Sequence, residues 1–225
     1  MNGVLVIDKP QGLTSHDVVN RARRILGERS VGHVGTLDPA ATGVLPLVVG
    51  SFTRLAQFYA HSEKTYEGVI RFGFATDTYD ADGEAISSPQ NVELKRDEME
   101  TMAAQFRGAI EQTPPPFSAK KVGGVPAYKL ARKQREVTLK PVQVEIKDFT
   151  VLEVVGDRLT FRAHVVSGTY LRAIAHDMGQ KLGCGAHLAA LRRTAVAEFQ
   201  IEDARRLEEL ELARRQGADV METMF

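Results

Sequence analysis

Gly32-His33-Val34-Gly35-Thr36-Leu37-Asp38-Pro39-Ala40-Ala41-Thr42-Gly43-Val44-Leu45-Pro46 contains a single carboxylate, Asp38, and neither lysine nor arginine. Apolar residues flank it, so bulk solvation does not account for an acid at this point. Pro39 has no backbone donor and biases Asp38 away from helical angles. Gly35 and Gly43 permit tight turns and close backbone approach. The segment therefore predicts a stiff loop that presents one carboxylate. By local chemistry alone, an ordinary Asp-Pro turn fits equally well.

Before the loop, Val4–Ile7 reads as a short buried strand, followed by a turn at Lys9-Pro10-Gln11-Gly12. Thr14 or Ser15 can cap a helix that starts near His16 and ends at Gly27, with Val18, Val19, Ala22, Ile25 and Leu26 at helical spacing. After the loop come a strand at Val44–Val49 and a helix over Thr53–Tyr59. Thr65–Phe74 alternates as a strand should, and a helix spans Arg96–Phe106. Thr113-Pro114-Pro115-Pro116 is an extended stop. Gly123-Gly124 is a hinge, and Val125–Arg135 reads as a basic helix.

Two long strands, Val142–Val155 and Leu159–Val166, turn at Gly156-Asp157. A helix over Thr169–Leu182 carries an apolar stripe of Leu171, Ile174, Ala175, Met178 and Leu182. A strand over Ala189–Phe199 and an acidic helical tail from Ile201 follow. Strands in runs with helices between them indicate an α+β fold with a large mixed or mostly antiparallel central sheet flanked by helices.

With 225 residues, 43% apolar and 26% charged, the chain has an ordinary globular composition. No apolar run approaches the ~20 residues a membrane span needs, and no signal peptide stands at the N-terminus. The single Cys184 excludes an internal disulfide and any multi-thiolate metal site. Cys184 forms no zinc spacing with His176 or His187. These features favour the cytoplasm. Formal net charge is +0, yet residues 114–140 hold seven lysines and arginines against one acid, and residues 76–100 hold eight acids against two bases. A neutral protein can thus carry a strongly basic face, as a nucleic-acid binder would, although a solvated face also accounts for such a run. Asp80-Ala81-Asp82-Gly83 fails as a calcium loop, because Thr78 and Pro89 would occupy its first and last ligand positions.

Four ordered blocks carry a resemblance. They are VLVIDKPQGLTSHDVV with VGHVGTLDPAATGVLPLVVG, Lys64-Thr65-Tyr66, PPPFSAKKVGGVPAYKLAR from Pro114, and SGTYLRAIAHDMGQKLGCGAHLAALRR from Ser167. Over roughly residues 3–203 the chain resembles the TruB family of tRNA pseudouridine synthases. The resemblance implies a large sheet crossed by an active-site cleft, and isomerisation of the T-loop uridine at tRNA position 55 without cofactor or metal. Asp38 would be the nucleophile on a flipped-out base, Arg172 its paired cation, and Tyr66 the stacking platform, with Tyr170 and Leu191 completing the base pocket. His33, Lys64, Lys120, Lys121, Lys129, Arg132, Lys133, Arg192 and Arg193 would contact RNA.

The resemblance further implies a catalytic domain over residues 1–203, then an acidic helical tail over 204–225 in place of the family's usual C-terminal PUA domain. It implies action on the T-arm; no segment stands out for docking guide-RNA partners and no long exposed apolar stripe stands out, so a stand-alone monomer is expected. A non-catalytic tRNA-binding or tRNA-folding protein on the same scaffold is the alternative, but Asp38, Arg172 and Tyr66 are all present. An unrelated aspartate-dependent hydrolase would need a second acid or a histidine base at suitable spacing, and none is identifiable in the sequence.

Overall fold

The computed structural model describes residues 1–118, 120–131, 133 and 139–217. It has two compact units, one formed by Met1–Glu67 with the chain from Leu191, the other by Gly68–Ala190.

In the first unit, strand β1 (Gly3–Lys9) leads to helix α1 (Ser15–Leu26), strand β2 (Val31–His33) and strand β3 (Thr42–Val49). The Thr14 hydroxyl accepts from the Asp17 amide, and the Asp17 carboxylate accepts from the Thr14 amide. This reciprocal cap starts α1 where the sequence places it. Gly27, at φ +67, ends it. The predicted helix at 53–59 is a 3-10 helix over Gly50–Gln57. β1 and β2 both pair antiparallel with β3. β2 escapes a sequence reading because three residues are too few to show alternation.

Two strands begin in one unit and end in the other: β4 (Lys64–Phe72) and, late in the chain, β10 (Ala186–Val196). β10 pairs parallel with β3 at Arg193–Gly43, and β11 (Phe199–Gln200) pairs back on β10. A Cβ on Gly43 would run into the Arg193 carbonyl, so this contact requires glycine. Helix α5 (Leu207–Arg215) lies against α1 through Arg21, which donates to Glu211 at 2.9 Å, and it buries Leu207 and Leu210. Val4 and Val6, two apart on β1, join Val34, Val44, Val48, Val196 and Phe199 in one core cluster.

In the second unit, α2 (Arg96–Ala104) precedes β5 (Gly108–Gln112), a strand the sequence did not announce. A small hairpin of β6 (Lys121–Val122) and β7 (Val125–Pro126) runs into α3 (Ala127–Ala131). The expected basic helix over 125–135 is therefore shorter at its start, because Val125 and Pro126 pair as a strand. The residues that would extend it, 132 and 134–138, lie outside the described set. β8 (Val142–Val155) and β9 (Arg158–Val165) form the long hairpin as expected, with β5 antiparallel on β8. Helix α4 (Leu171–Leu182) starts two residues later than predicted. The strand order in this unit is β10-β4-β9-β8-β5, and the nine-stranded sheet to which these strands belong is mostly antiparallel. Phe149 and Phe161 stack at 4.9 Å across the β8–β9 pair.

Candidate active site

In the first unit the Asp38 loop hangs between β2 and β3 and is tied down from both sides. Ser15 Oγ donates to the Leu37 carbonyl at 3.1 Å and accepts from its amide at 2.9 Å, and the Gly12 amide reaches the Pro39 carbonyl. Asp38 is half-buried, and its carbonyl accepts from the Ala41 amide. The loop is as stiff as Pro39 and the glycines predict, but most of its anchoring comes from α1 and β1.

The strongest of those anchors is Lys9, which sequence reading left as part of a turn. Its side chain is 0% exposed, and its Nζ donates to the carbonyls of Ala41 at 2.6 Å, Pro10 at 2.9 Å and Pro39 at 3.3 Å. Burial lowers its pKa to about 8, opposed by the attraction of Asp38, while Arg193 adds a smaller push downward. A buried cation thus faces the one carboxylate of the loop. The only hint in the sequence is a lysine immediately before a proline turn.

Arg193 departs furthest from expectation. Sequence reading placed it on RNA, yet it is 0% exposed. Its Nε donates to the Val44 carbonyl at 2.8 Å, Nη2 to Gly35 at 2.9 Å and Nη1 to Thr36 at 3.5 Å, and it also holds the Tyr66 hydroxyl. No carboxylate pairs with it among the described residues. A guanidinium committed to the back of the loop and to a phenol is not a phosphate clamp. Burial pushes its proton affinity down, and Tyr66 pushes it back up. Lys64 is likewise corrected: it is 8% exposed, it donates to the Ser62 carbonyl at 2.6 Å, and burial lowers its pKa to about 8. Both reversals have one cause. A charge in a strand has no polar face to mark it, and the sequence does not say which side of the strand is covered.

Tyr66 sits on β4 with its ring 8% exposed and its oxygen fixed by Arg193, which can only donate. His33 is half-buried, with Nε2 3.2 Å from Thr36 Oγ1. Burial chiefly, then Arg193 and His16, lower its pKa, which favours the neutral ring. Leu191 is half-buried, and its carbonyl lies 3.5 Å from Thr42 Oγ1. Arg192 keeps part of its surface but grips Asp8 with two nitrogens, at 3.0 and 2.8 Å. Asp38, Lys9, Arg193, Tyr66, His33, Lys64 and Leu191 thus all belong to the first unit.

The second unit carries Arg172, on the first turn of α4. It is buried, with Nε 3.5 Å from the Asp80 carboxylate, Nη1 donating to the Thr78 carbonyl at 3.0 Å and Nη2 to Phe117 at 3.1 Å. Asp80, set aside in the sequence as a failed calcium ligand, is a buried partner of this cation. Its other oxygen accepts from Thr78 Oγ1 and the Asp82 amide. Tyr170 directly precedes α4, and both its backbone polar groups are held by the Gln112 side chain. Lys120, Lys121, Lys129 and Lys133 are exposed, with Lys121 on the β6–β7 hairpin and Lys129 on α3. Arg132 lies outside the described residues. No group of three histidine, cysteine, aspartate or glutamate side chains is arranged to hold a metal among the described residues.

The family description "TruB family pseudouridylate synthase (N terminal domain)" matches residues 23–171. The chain belongs to that family. A second description, "tRNA pseudouridylate synthase B C-terminal domain", matches residues 172–222. Proteins named tRNA pseudouridine synthase B are similar at 56% identity in Solibacter usitatus, over 94% of this chain and 72% of that protein. In Opitutus terrae the identity is 47%, over 94% and 88% respectively. In Aquifex aeolicus it is 44%, over 93% and 73%. Among solved structures, the archaeal box H/ACA sRNP Nop10-Cbf5 complex matches at TM-score 0.70 and 29% identity, over 95% of this chain and 54% of that one. A Cbf5-Nop10-Gar1 complex matches at 0.72 and 28%, over 96% and 57%. The chain therefore spans a little over half the length of these solved chains. TruB membership places this protein among catalysts of uridine isomerisation, in which the base is detached from ribose and rejoined through carbon.

Proposed function

We propose that this protein is a tRNA pseudouridine synthase that isomerises the T-loop uridine at position 55 of tRNA. One observation carries the reading: the single carboxylate of the Asp38 loop lies within electrostatic reach of a completely buried Lys9, on a loop pinned by α1, β1 and Arg193. A carboxylate presented on so stiff a loop can act as a nucleophile. The TruB relatives supply the substrate class.

The reaction is an isomerisation, with no change of oxidation state overall. The N1–C1′ bond breaks, the base turns, a C5–C1′ bond forms, the C5 proton leaves and N1 gains a proton. Asp38 can open this sequence by adding to uracil C6 or to ribose C1′. Tyr66 offers a ring for the flipped base, a contact of about 1–3 kcal/mol in comparable systems, and Arg193 fixes the position of its oxygen. Arg172 is the cation that the family resemblance assigns to catalysis. The base must leave the T-loop stack to reach these groups. Exposed Lys120, Lys121, Lys129 and Lys133 meet phosphate and hold the T-arm by shape rather than sequence. Tyr170 and Leu191 are the further residues that the resemblance assigns to the base. The protein acts as a cytoplasmic monomer without a guide RNA.

The test is incubation with an unmodified tRNA transcript followed by chemical mapping of pseudouridine. Modification at the T-loop uridine, abolished in Asp38→Asn, is the expected result. A transcript that binds but stays unmodified would favour the non-catalytic alternative.

A further inference from the structure

Thr78-Tyr79-Asp80 meets the Arg172 guanidinium twice. The Thr78 carbonyl accepts from Nη1, and the Asp80 carboxylate faces Nε. Between those two groups one residue turns the chain. Tyr79 does so at φ +66, in the left-handed region. A bulky side chain rarely adopts that region, and such strain persists only where the surroundings over-determine it.

Two features of the second unit hold the turn. Its backbone is fastened to β10, because the Leu188 amide donates to the Tyr79 carbonyl at 2.9 Å and the Ala81 amide to the Leu188 carbonyl at 3.1 Å. Its side chain lies flat on His176, with ring centroids 3.8 Å apart and planes 12° from parallel. His176 is four residues past Arg172 on α4 and hence on the same helix face. The His176 Nδ1 is buried with no hydrogen-bond partner among the described residues, and burial favours the neutral ring. At this contact His176 presents a flat face to Tyr79. One helix face therefore carries both the cation and the surface that clamps the turn feeding it.

We propose that the Tyr79–His176 stack is a positioning device for Arg172, locking the left-handed turn that brings the Thr78 carbonyl and the Asp80 carboxylate onto its guanidinium. The proposal rests on the reading of Arg172 as an active-site cation. It makes Tyr79 and His176 positioning residues, which act only through Arg172.

The experiment compares Tyr79→Phe, His176→Phe, Tyr79→Gly and His176→Ala in the full chain. Three quantities are read: kcat and KM on tRNA transcript, the melting temperature, and the side-chain Nε–H NMR signal of Arg172, identified by its loss in Arg172→Lys. The phenylalanine variants keep a stack, and should keep both kcat and the Arg172 signal. Tyr79→Gly removes the stack while relieving the strain. It should lose about tenfold to a hundredfold in kcat at unchanged KM, with the Arg172 signal broadened or lost, in protein whose melting temperature shows it folded. His176→Ala should show the same kinetic and NMR losses. Wild-type kcat and an intact Arg172 signal in both Tyr79→Gly and His176→Ala would overturn the proposal. If wild type forms no pseudouridine, the functional reading fails separately. The Arg172 signal then decides, its survival in those two variants overturning the positioning role and its loss there alone supporting it.

Discussion

Arg172 Nε lies 3.5 Å from the Asp80 carboxylate, both side chains buried in the second unit, and the two terminal nitrogens of the guanidinium are taken by backbone carbonyls. Asp80→Asn keeps the shape and removes the charge. It leaves a buried guanidinium with one fewer anion, a change that costs about 3–5 kcal/mol where a buried pair is broken outright. A clear fall in the denaturation midpoint and a large loss of pseudouridine formation are expected. Unchanged stability and rate would show that the pair is dispensable.

Asp38→Asn should reduce turnover below detection while tRNA affinity changes little, because the amide keeps the loop's shape and loses only the nucleophile. Measured dissociation constants and single-turnover assays check this. Robust turnover would remove Asp38 from the mechanism.

Arg193→Met should destabilise the first unit. It strips the Gly35, Thr36 and Val44 carbonyls and the Tyr66 hydroxyl of their donor, and each buried acceptor left unpaired costs about 1–3 kcal/mol. Tyr66→Phe, by contrast, removes a single partner and keeps the ring. If the ring only stacks, Phe should be active and Tyr66→Leu poor. If the phenol also moves a proton, both should fail while Phe still binds tRNA. Urea unfolding and turnover assays on the three variants check these outcomes.

Lys9 and Lys64 both have pKa values lowered from 10.5 to about 8, chiefly by burial. Between those values the folded protein binds fewer protons than the unfolded chain, so stability should rise as pH increases through that window. The cost of charging the two lysines is in full force below about pH 8. Tyr59 and Tyr79, raised from 10.0, act in the opposite sense only above that pH. Urea midpoints from pH 7 to 10 should therefore climb in wild type and climb less in Lys9→Met. Equal slopes would refute the burial of a charged Lys9. Activity should also decline above about pH 8 as Lys9 loses its charge beside Asp38.

An isolated T-arm stem-loop should be modified at the same uridine as intact tRNA, with affinity falling steeply as salt rises. Neutralising Lys120, Lys121, Arg132 and Lys133 together should flatten that slope without changing the target. Dissociation constants across a salt series are the measurement. A T-arm that neither binds nor reacts, beside an active intact tRNA, would show that recognition extends beyond it.

The elements with strong local signals were legible in the chain. Thr14 and Gly27 bracket α1 through capping chemistry that involves only near neighbours. Gly156-Asp157 marks the β8–β9 turn. Pro39 and the glycines around Asp38 announce a stiff loop. The mostly antiparallel sheet follows from strands in runs. Strands β2 and β5 were not legible, because runs of three and five residues carry too little pattern.

By itself, the sequence determined the family, the single carboxylate on its proline-locked loop and the broad α+β architecture, because each is written in contiguous residues whose local preferences agree. Tertiary structure alone decided what the charges do. Arg193 and Lys64 read as surface cations until burial assigned them to carbonyls of the chain itself. Lys9 read as a turn residue until three carbonyls closed on its ammonium, and Asp80 read as a failed metal ligand until Arg172 faced it. A charge carries no local mark of whether water or protein will surround it. That is set by which strands and helices pack over it, and those can lie far away in the chain, as Gly35 does from Arg193 at a separation of 158 residues.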